Sequence, residues 1–432
     1  MGSLPDKKIN VLIFPAGAEN ALEIYYSLRF NIHLQVFGAS GKPDHAGFIY
    51  PPDHYIEGNY YINSPSFLED FNSLISEYKI EIVIPTHDTI ALYMAENRES
   101  IQAKIVVSNS QTARICREKK LTYALMSKYD FSPHIFKEPQ DISSFPVFLK
   151  PNRGEGSKGT QLGKSMAEVS ARIASDPEVI ICEYLPGREL TVDCFTNRKR
   201  ELLFVGPRTR ERVQMGISFH SETVELTEEI KNIATSINDE LELQGAWFFQ
   251  IKQDARGHYK LLEISARQAG TMALYRQLGV NFALLSVFDV LGEDVSILKN
   301  QFEIKLDRCL HNRYHFNYEY EEIYVDFDDT LIVNGKVNDQ LMQYLYQAAN
   351  CGKKIHLITR HELIITETLK RYKIAENLFD EIIALTPADK KCDHIKPEKA
   401  IFIDNYFFDR KSISETFGIP VFDVDAVECL VN

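Results

Sequence analysis

Apolar runs alternate with helical patterns over the first 115 residues of the chain. The segments "NVLIF", "IHLQVFGAS" and "EIVIP" are short and almost continuously apolar, as buried strands of a parallel sheet are. The helical pattern "SFLEDFNSLISEYKI" lies between the second and the third of these segments. Strands that alternate with helices form a parallel sheet, which binds ligands at the carboxyl ends of its strands. We therefore predict an α/β domain over residues 1–115.

Longer β-rich runs replace this pattern between residues 116 and 310. The runs "ELTVDCFT", "ELLFVGPRTR", "GAWFFQIKQD" and "YKLLEIS" alternate like antiparallel strands, and helical stretches separate some of them. Residues 311–320, rich in aromatic and polar side chains, are predicted to form a linker. Strand–helix alternation returns over 321–432 with "IYVDFDD", "KKIHLIT" and "AIFIDN". The fold class is therefore α/β and α+β, divided over several domains.

Composition narrows the class of protein. The formal net charge of −13 argues against a nucleic-acid partner, which needs a concentrated basic face. The seven cysteines are scattered without a Cys-x-x-Cys pair, so we expect neither a disulfide framework nor structural zinc. No apolar stretch approaches the roughly 20 residues that span a bilayer, and the first residues lack the apolar core of a signal peptide. We expect a cytoplasmic protein without a membrane partner, compatible with a homodimer.

A glycine-rich loop follows a predicted strand in "FLKPNRGEGSKGTQL". Gly154, Gly156 and Gly159 let the backbone bend close to an anion and direct N–H groups at phosphate oxygens. Lys150 and Lys158 add positive charge. A plain hairpin loop, in which glycine only permits the turn, is the alternative interpretation.

Further polar residues downstream favour a nucleotide site. Glu183 and Glu189 flank a turn and are suited to reading an adenine amino group and ribose hydroxyls. Gln250 and Glu263 lie on neighbouring predicted strands, and their oxygens together with nucleotide phosphates suit magnesium. Arg267, four residues after Glu263, is placed to neutralise a transferring phosphoryl group.

Residues 1–300 resemble the ATP-grasp superfamily, most closely its carbamoyl phosphate synthetase and biotin carboxylase branch. The matching segments are "EKKLTYALMSKYDFSPHIF", "FLKPNRGEGSKG", "EYLPGRELTVD" and "LLEISARQAGTMALYRQLGVNFA". The resemblance implies a Rossmann-like pre-ATP-grasp domain (1–115) followed by an ATP-grasp domain (116–310).

The resemblance also implies roles for individual residues. ATP would be held by Lys119, Lys150, the loop residues Gly154, Gly156, Ser157, Lys158 and Gly159, the adenine-binding segment Glu183, Tyr184 and Leu185, and Glu189 at the ribose. Gln250 and Glu263 would bind Mg²⁺, with Mn²⁺ as an alternative metal, and Arg267 would contact the γ-phosphate. Ser265 stands where the family usually has a metal-binding asparagine, so the second metal is expected to be held more loosely or through water.

This site suggests activation of a carboxylate. Phosphorylation by ATP gives an acyl phosphate, from which an amine displaces phosphate, and the protein must align the reactants and exclude water. Arg208, Arg210 and Arg212 alternate, so on one strand they would share a face and could hold an acceptor carboxylate. A solvated basic strand edge is the alternative.

A second acidic site is predicted near residue 326. Asp326 and Asp328 would share one face of a strand end, where two carboxylates repel each other unless a cation such as magnesium lies between them. A turn with solvated acids is the alternative. Two further strands end at Thr359 and Asp404, and Lys390 or Lys391 precedes the last strand.

Residues 321–432 resemble the haloacid dehalogenase superfamily, whose four motifs appear here in order. The resemblance implies a Rossmannoid domain in which Asp326 is the nucleophile and Asp328 the general acid and base. Thr359 would bind the phosphoryl group, Lys391 (or Lys390) would neutralise charge, and Asp404 would hold magnesium with Asp326 and Asp328. Asp409 would support the metal, and Asn405 replaces an acid often found there.

The spacing of these motifs predicts a capless domain. About 30 residues separate Asp329 from Thr359 and Thr359 from Lys391, enough for one helix and its connections in each gap. No room remains for an inserted cap, so the site should be open to a bulky phosphorylated substrate or covered by another domain or subunit.

The sequence as a whole predicts a carboxylate–amine ligase fused to a magnesium phosphatase, with a related phosphorylated metabolite as the phosphatase substrate. One alternative is a small-molecule kinase with a phosphatase. A nucleotide-binding scaffold with vestigial catalysis is another, favoured by Ser265 and Asn405 and opposed by Arg267, Asp326 and Asp328.

Overall fold

The computed structural model describes residues 8–154, 156, 158–214, 216–314 and 317–431. The chain divides into two compact units, Met1–Leu310 and His311–Asn432, called unit 1 and unit 2 below. Among the helices of the described residues, none combines the length and the apolar character that a bilayer-spanning segment requires.

Unit 1 begins with a five-stranded parallel sheet in the order β3-β2-β1-β4-β5. Its strands and helices are β1 (Ile9–Phe14), α1 (Glu19–Leu28), β2 (Leu34–Ser40), β3 (Tyr55–Glu57), α2 (Phe67–Glu77), β4 (Ile82–Pro85), α3 (Asp88–Glu96), β5 (Lys104–Ile105) and α4 (Ser110–Arg117). The strand order reverses beside β1, so the residues after β1 and β4 meet at the edge where such sheets bind ligands. The predicted strands are present, while α3 was not predicted as a separate helix.

The rest of unit 1 forms three antiparallel sheets with the orders β6-β9-β7-β8, β11-β10-β14-β15 and β12-β13-β16. The elements are α5 (Lys119–Met126), β6 (Ile135–Phe136), β7 (Val147–Lys150), β8 (Gln161–Gly163), α6 (Met166–Ser175), β9 (Ile180–Glu183), β10 (Glu189–Thr196), β11 (Leu202–Thr209), β12 (Arg212–Gln214), β13 (Ile217–Glu222), α7 (Glu228–Glu240), β14 (Gly245–Gln253), β15 (Tyr259–Ser265), α8 (Ala273–Gln277), α9 (Phe282–Leu291) and β16 (Lys305–Asp307).

Strand β10 has one apolar face and one polar face. Its apolar residues Leu190, Val192 and Cys194 are fully buried in a core that includes Trp247 and α7 residues. Side chains alternate along a strand, so Glu189, Thr191 and Asp193 point to the opposite face. The alternation therefore places polar side chains on the side of the sheet where the cavities described below lie.

Unit 2 contains a second five-stranded parallel sheet, in the order β21-β20-β17-β22-β23. Its elements are β17 (Glu322–Val325), β18 (Ile332–Val333), β19 (Lys336–Val337), α10 (Asp339–Asn350), β20 (Lys354–Thr359), α11 (Ile365–Arg371), β21 (Glu381–Ala384), β22 (Ala400–Ile403), α12 (Phe407–Phe417) and β23 (Val421–Phe422). The prediction of one helix per gap was incomplete, because the first gap also holds the β18–β19 hairpin and the second also holds β21.

Candidate active sites

A cavity of about 390 Å³ lies in unit 1 between the parallel sheet and the antiparallel sheet β11-β10-β14-β15. The start of α1, after β1, contributes Glu19 and Asn20. The residues after β4 contribute Thr86, His87 and, at the start of α3, Asp88. The opposite wall carries the polar side chains Lys119, Lys158, Arg208, Arg210, Ser218, Gln250, Glu263, Ser265 and Arg267. The two strand ends of the first sheet thus face the predicted nucleotide residues.

Gln250 and Glu263 are direct partners across β14 and β15. Paired residues of antiparallel strands point to the same face and lie close together, and both side chains line the cavity. Lys119 Nζ lies 3.6 Å from Glu263 Oε2. This side of the cavity therefore combines oxygen donors that suit Mg²⁺ with a lysine that suits a phosphate.

Ser265 and Arg267 both contact Asp88, at the first turn of α3. Ser265 Oγ donates to Asp88 Oδ1 at 2.6 Å, and Arg267 Nη2 donates to Asp88 Oδ2 at 2.8 Å. Burial alone would raise the pKa of Asp88, but Arg267 and Ser265 outweigh that effect, so the pKa is lowered. Sequence reasoning missed Asp88, although it lies only three residues after the predicted strand "EIVIP".

A second cavity, of about 140 Å³, holds the predicted phosphate-binding residues. Its wall includes Lys119, Lys150, Gly154, Gly156, Lys158 and Glu189, while Ser157 lies outside the described residues. Lys150 is buried and donates to the Tyr123 hydroxyl. A Cβ on Gly216 would lie 2.2 Å from the Gly156 Cα, so the glycine loop packs against residue 216 too closely for a larger residue. Gly159 has φ +75° and is not among the residues that line this cavity.

An apolar slot of about 90 Å³ adjoins these residues. Phe148, Leu185 and Leu262 supply its apolar walls, and Glu183 and Tyr184 line it as well. Glu183 Oε1 accepts a hydrogen bond from the His134 backbone N–H at 2.8 Å. Its lining combines apolar side chains with the carboxylates of Glu183 and Glu189, a composition that suits a heterocycle with polar groups.

The three alternating arginines do not share one strand, contrary to the prediction. β11 ends at Thr209 and β12 begins at Arg212, so the chain turns between them. Arg208 is buried and binds Asp193 through Nε at 2.7 Å and Nη2 at 3.1 Å. Arg210 binds Glu189 at 2.8 Å, and the half-exposed Arg212 binds Asp307 at 2.5 Å. Arg208 and Arg210 line the larger cavity, and Arg212 is not among its lining residues.

In unit 2, one lysine joins the predicted acids. Asp326 follows β17, Asp404 follows β22, and Lys391 Nζ lies 2.5 Å from Asp326 Oδ1 and 2.7 Å from Asp404 Oδ2. All three side chains are buried, whereas Lys390 is exposed. Burial raises the pKa of Asp326 to about 6, although Lys391 opposes the rise. The geometry thus favours Lys391 over Lys390 as the lysine of this site.

Other residues at the same sheet edge were not predicted. Thr330 Oγ1 donates to Asp326 Oδ2 at 3.1 Å, and the Asn405 N–H donates to Thr330 Oγ1 at 3.0 Å. His361 Nδ1 lies 2.9 Å from Asp328 Oδ1, and the His361 backbone N–H donates to Thr359 Oγ1 at 3.1 Å. The segment "ITRH" held the signal, since His361 follows two residues after the strand end at Thr359.

Asp409 lies at the edge of this cluster. Arg360 binds it through two hydrogen bonds of 2.6 and 3.2 Å, and Lys391 Nζ lies 3.8 Å away. Asp328 differs from the buried acids, because its side chain is about half exposed. The structure therefore brings Asp326, Thr359 and Asp404 to neighbouring strand ends. Lys391 reaches the two acids from the segment before β22, and Asp328 lies at the exposed side.

Comparison with known proteins shows the fold of the chain. Residues 175–308 match the family model described as "ATP-grasp in the biosynthetic pathway with Ter operon". No curated protein matches the sequence.

Solved structures with the same fold include biotin carboxylase from Campylobacter jejuni in a β,γ-ATP complex, at 15% identity and TM-score 0.56, covering 67% of this chain and 73% of that one. L-amino acid ligase from Bacillus licheniformis is similar at 16% identity and TM-score 0.54, over 68% and 76% of the two chains. N5-carboxyaminoimidazole synthetase from Staphylococcus aureus, complexed with ADP, is similar at 14% identity and TM-score 0.56, over 68% and 81%. The chain is therefore a mixed α/β protein with an ATP-grasp fold.

Proposed function

We propose that unit 1 is an ATP-dependent carboxylate–amine ligase. The observation that carries the proposal is the pairing of Gln250 with Glu263 on the wall of a cavity that also contains Lys119, Lys158 and Arg267. Oxygen donors beside several cations suit a metal–nucleotide complex together with the transfer of its terminal phosphoryl group. The relatives with solved structures include a ligase that acts on amino acids, which agrees with this chemistry.

The three cavities fit the parts of ATP. The apolar slot with Glu183, Tyr184 and Leu185 would take adenine, and Glu189 would bind the ribose. Gly154 and Gly156 of the glycine-rich loop would bind the phosphates together with Lys119, Lys150 and Lys158. Gln250 and Glu263 would hold Mg²⁺ or Mn²⁺, which neutralises phosphate charge when bound. Ser265 points its hydroxyl at Asp88, so it would reach a metal only through water or after rearrangement.

The proposed reaction has two steps. A carboxylate oxygen of the acid forms a bond to the γ-phosphorus of ATP, the bond to the bridging oxygen breaks, and ADP leaves with the electron pair. The neutral amine then attacks the acyl carbon, phosphate leaves, and the nitrogen loses a proton to solvent. Arg267, fixed by Asp88, would stabilise the charge on the transferring group.

For unit 2 we propose magnesium-dependent hydrolysis of a phosphomonoester. Asp326 would attack phosphorus and become an aspartyl phosphate, while the alcohol leaves with a proton from Asp328. Water, deprotonated by Asp328, would then release phosphate and regenerate Asp326. Thr359 and Lys391 would bind the phosphoryl oxygens, and Asp326 and Asp404 would hold a divalent cation, with Asp328 at its outer side. That cation would supply the positive charge that this buried group of acids lacks.

The two proposed activities fit a single route, in which the ligase joins an acid to an amine and the phosphatase removes a phosphate from a related metabolite. The experiment is a screen of ADP release by the Asp326→Asn variant with Mg²⁺, ATP and pooled acids and amines, phosphorylated ones included. The ligase predicts ADP only when acid and amine are both present, together with a condensed product in the mass spectrum. ADP with a single substrate would instead support a kinase, and bound ATP without turnover would support a scaffold. A product phosphate that wild-type protein removes would connect the two units.

A further inference from the structure

A row of polar side chains crosses the sheet β11-β10-β14-β15, beside the larger cavity of about 390 Å³. Arg208 pairs with Thr191, Thr191 with Gln250, and Gln250 with Glu263. Because directly paired residues share a face, the row runs from the proposed metal ligands to Arg208. Strands lie about 4.8 Å apart, so Arg208 is roughly 10 Å from Gln250 at the backbone. Arg208, Gln250 and Glu263 line the larger cavity, and Thr191 lies between Arg208 and Gln250 in the sheet.

Arg208 is a buried arginine that has a donor to spare. Its side chain is 1% exposed, and Asp193 occupies Nε and Nη2. Within the described part of the chain, no hydrogen-bond partner reaches Nη1. Burial raises the pKa of Asp193, and the Arg208 guanidinium opposes the rise. The two hydrogen bonds to Asp193 fix the position of the guanidinium. An unpaired buried donor is unfavourable, and a ligand that accepts a hydrogen bond from it would recover that cost.

Thr191 has the same property. Its side chain is fully buried, and its Oγ1 is without a hydrogen-bond partner among the residues that the structure describes. Thr191 and Arg208 are adjacent on one face, so two unpaired polar groups meet beside Gln250. Buried polar groups are paired in the great majority of cases, and such a cluster requires a reason.

We propose that Arg208 Nη1 and the Thr191 hydroxyl bind the carboxylate of a small, polar acceptor acid. Both groups donate, and one belongs to a permanent cation, so the complementary ligand is an anion with two acceptor oxygens. The cavity of about 390 Å³, which the terminal phosphate would share, suits a small acid. Asn20, Thr86 and His87 on the facing wall suit polar substituents. This inference rests on the proposed ligase function, because it names the substrate class of that site.

The test compares Thr191→Val with wild-type protein. Valine has nearly the shape of threonine, so if the hydroxyl were only a buried unpaired group, its removal would leave the fold unchanged or more stable. The probe is a set of glycine, L-alanine, L-aspartate, L-glutamate, succinate and malate, each added to protein that carries Mg²⁺ and a non-hydrolysable ATP analogue. The readout is the melting-temperature shift that each acid produces, titrated to half-saturation.

We expect at least one acid to stabilise the wild-type protein and to need about tenfold more for half-saturation in Thr191→Val. Arg208→Lys, which keeps a positive charge beside Asp193, should weaken binding of the acid further. Binding of the ATP analogue alone should be unchanged in both variants. Arg212→Gln is the matched control, because Arg212 is half-exposed and pairs with Asp307 away from the cavity wall; its acid titration should equal that of wild type.

Equal half-saturation in Thr191→Val and wild type would overturn the proposal, and so would a wild-type protein that no acid of the set stabilises. ADP release with amine present is measured in parallel. Acid binding that depends on Thr191 and Arg208, without ADP release, would refute the ligase while leaving the carboxylate site in place. ADP release that neither substitution affects would refute the carboxylate site while leaving the ligase in place.

Discussion

The two proposed sites balance their charges differently. In unit 1, Arg267 pairs with Asp88, Arg210 with Glu189 and Lys119 with Glu263, each cation with one acid on the wall of a cavity. In unit 2, one lysine lies between two fully or nearly buried carboxylates, Asp326 and Asp404. These three pairs are neutral, and Lys150 and Lys158 add positive charge for an anionic ligand that brings its own metal. The second lacks positive charge, which a divalent cation would supply.

The largest expected effect concerns the unit with the charge deficit. Asp326→Asn should reduce phosphomonoester hydrolysis by roughly 10³-fold or more, because it removes the proposed nucleophile. ADP formation in unit 1 should stay within twofold. The measurement is phosphate release from a panel of phosphomonoesters with Mg²⁺. Asp329→Asn is the matched control, since Asp329 is exposed at φ +55°, where asparagine is well tolerated. Equal activity of the two variants would contradict the role of Asp326.

Removal of the shared lysine should test the charge deficit directly. Lys391→Met leaves Asp326 and Asp404 facing each other without their cation, and we expect unit 2 to lose about 3 kcal/mol of unfolding free energy in EDTA. Mg²⁺ should restore part of that loss. Urea unfolding with and without Mg²⁺ measures both quantities, with the exposed Lys390→Met as control. A Lys391→Met loss no larger than that of the control would mean that the acids do not depend on this lysine.

The pH dependence of stability should have opposite signs in the two units. The pKa of Asp326 is raised to about 6. In metal-free protein its contribution to the free energy of unfolding is therefore fully present below the ordinary pKa of about 3.9 and is lost as pH rises through 6. The pKa of Asp88 is lowered, so its contribution is present above the ordinary value of about 3.9 and is lost as pH falls further.

Urea unfolding between pH 3 and pH 7 in EDTA measures these slopes. Each titrating group changes the slope by at most about 1.4 kcal/mol per pH unit. Asp326→Asn should remove a fall in stability between pH 4 and pH 6, and Asp88→Asn should remove a rise below pH 4. For each variant, the quantity to compare is the difference in unfolding free energy between wild type and variant as a function of pH. If this difference changed with pH in the same direction for both variants, the comparison would be contradicted.

The smallest effect is expected at Ser265. Ser265→Ala removes the hydrogen bond to Asp88 and should cost about 1 kcal/mol of unfolding free energy, with Mg²⁺–nucleotide binding changed less than threefold. Calorimetric titration with Mg²⁺ and ATP measures the second quantity. A loss of nucleotide affinity of tenfold or more would show that the serine itself ligates the metal, in place of the asparagine that the family usually has.

Regular spacing explains what the sequence predicted. Strands such as "NVLIF" and "AIFIDN" are continuous apolar runs, and Gln250 and Glu263 follow fixed positions in alternating strands, so their meeting on one face could be anticipated. Asp88 could not, because its contact with Arg267 joins residues 179 apart in the chain. The prediction that Arg208, Arg210 and Arg212 share one strand face was wrong, because the strand ends at Thr209. Periodicity reports which face a side chain takes, whereas contacts between residues far apart in the chain depend on tertiary packing.

The most direct test of the ligase is the fate of the acid's oxygen. The Asp326→Asn variant would be incubated with Mg²⁺, ATP, pooled amines and small carboxylic acids labelled with ¹⁸O, and the released phosphate analysed by mass spectrometry. An acyl phosphate intermediate transfers one labelled oxygen to phosphate, so we predict ¹⁸O in phosphate only when acid and amine are both present. Unlabelled phosphate, formed at the same rate without acid, would contradict the proposal that unit 1 activates a carboxylate.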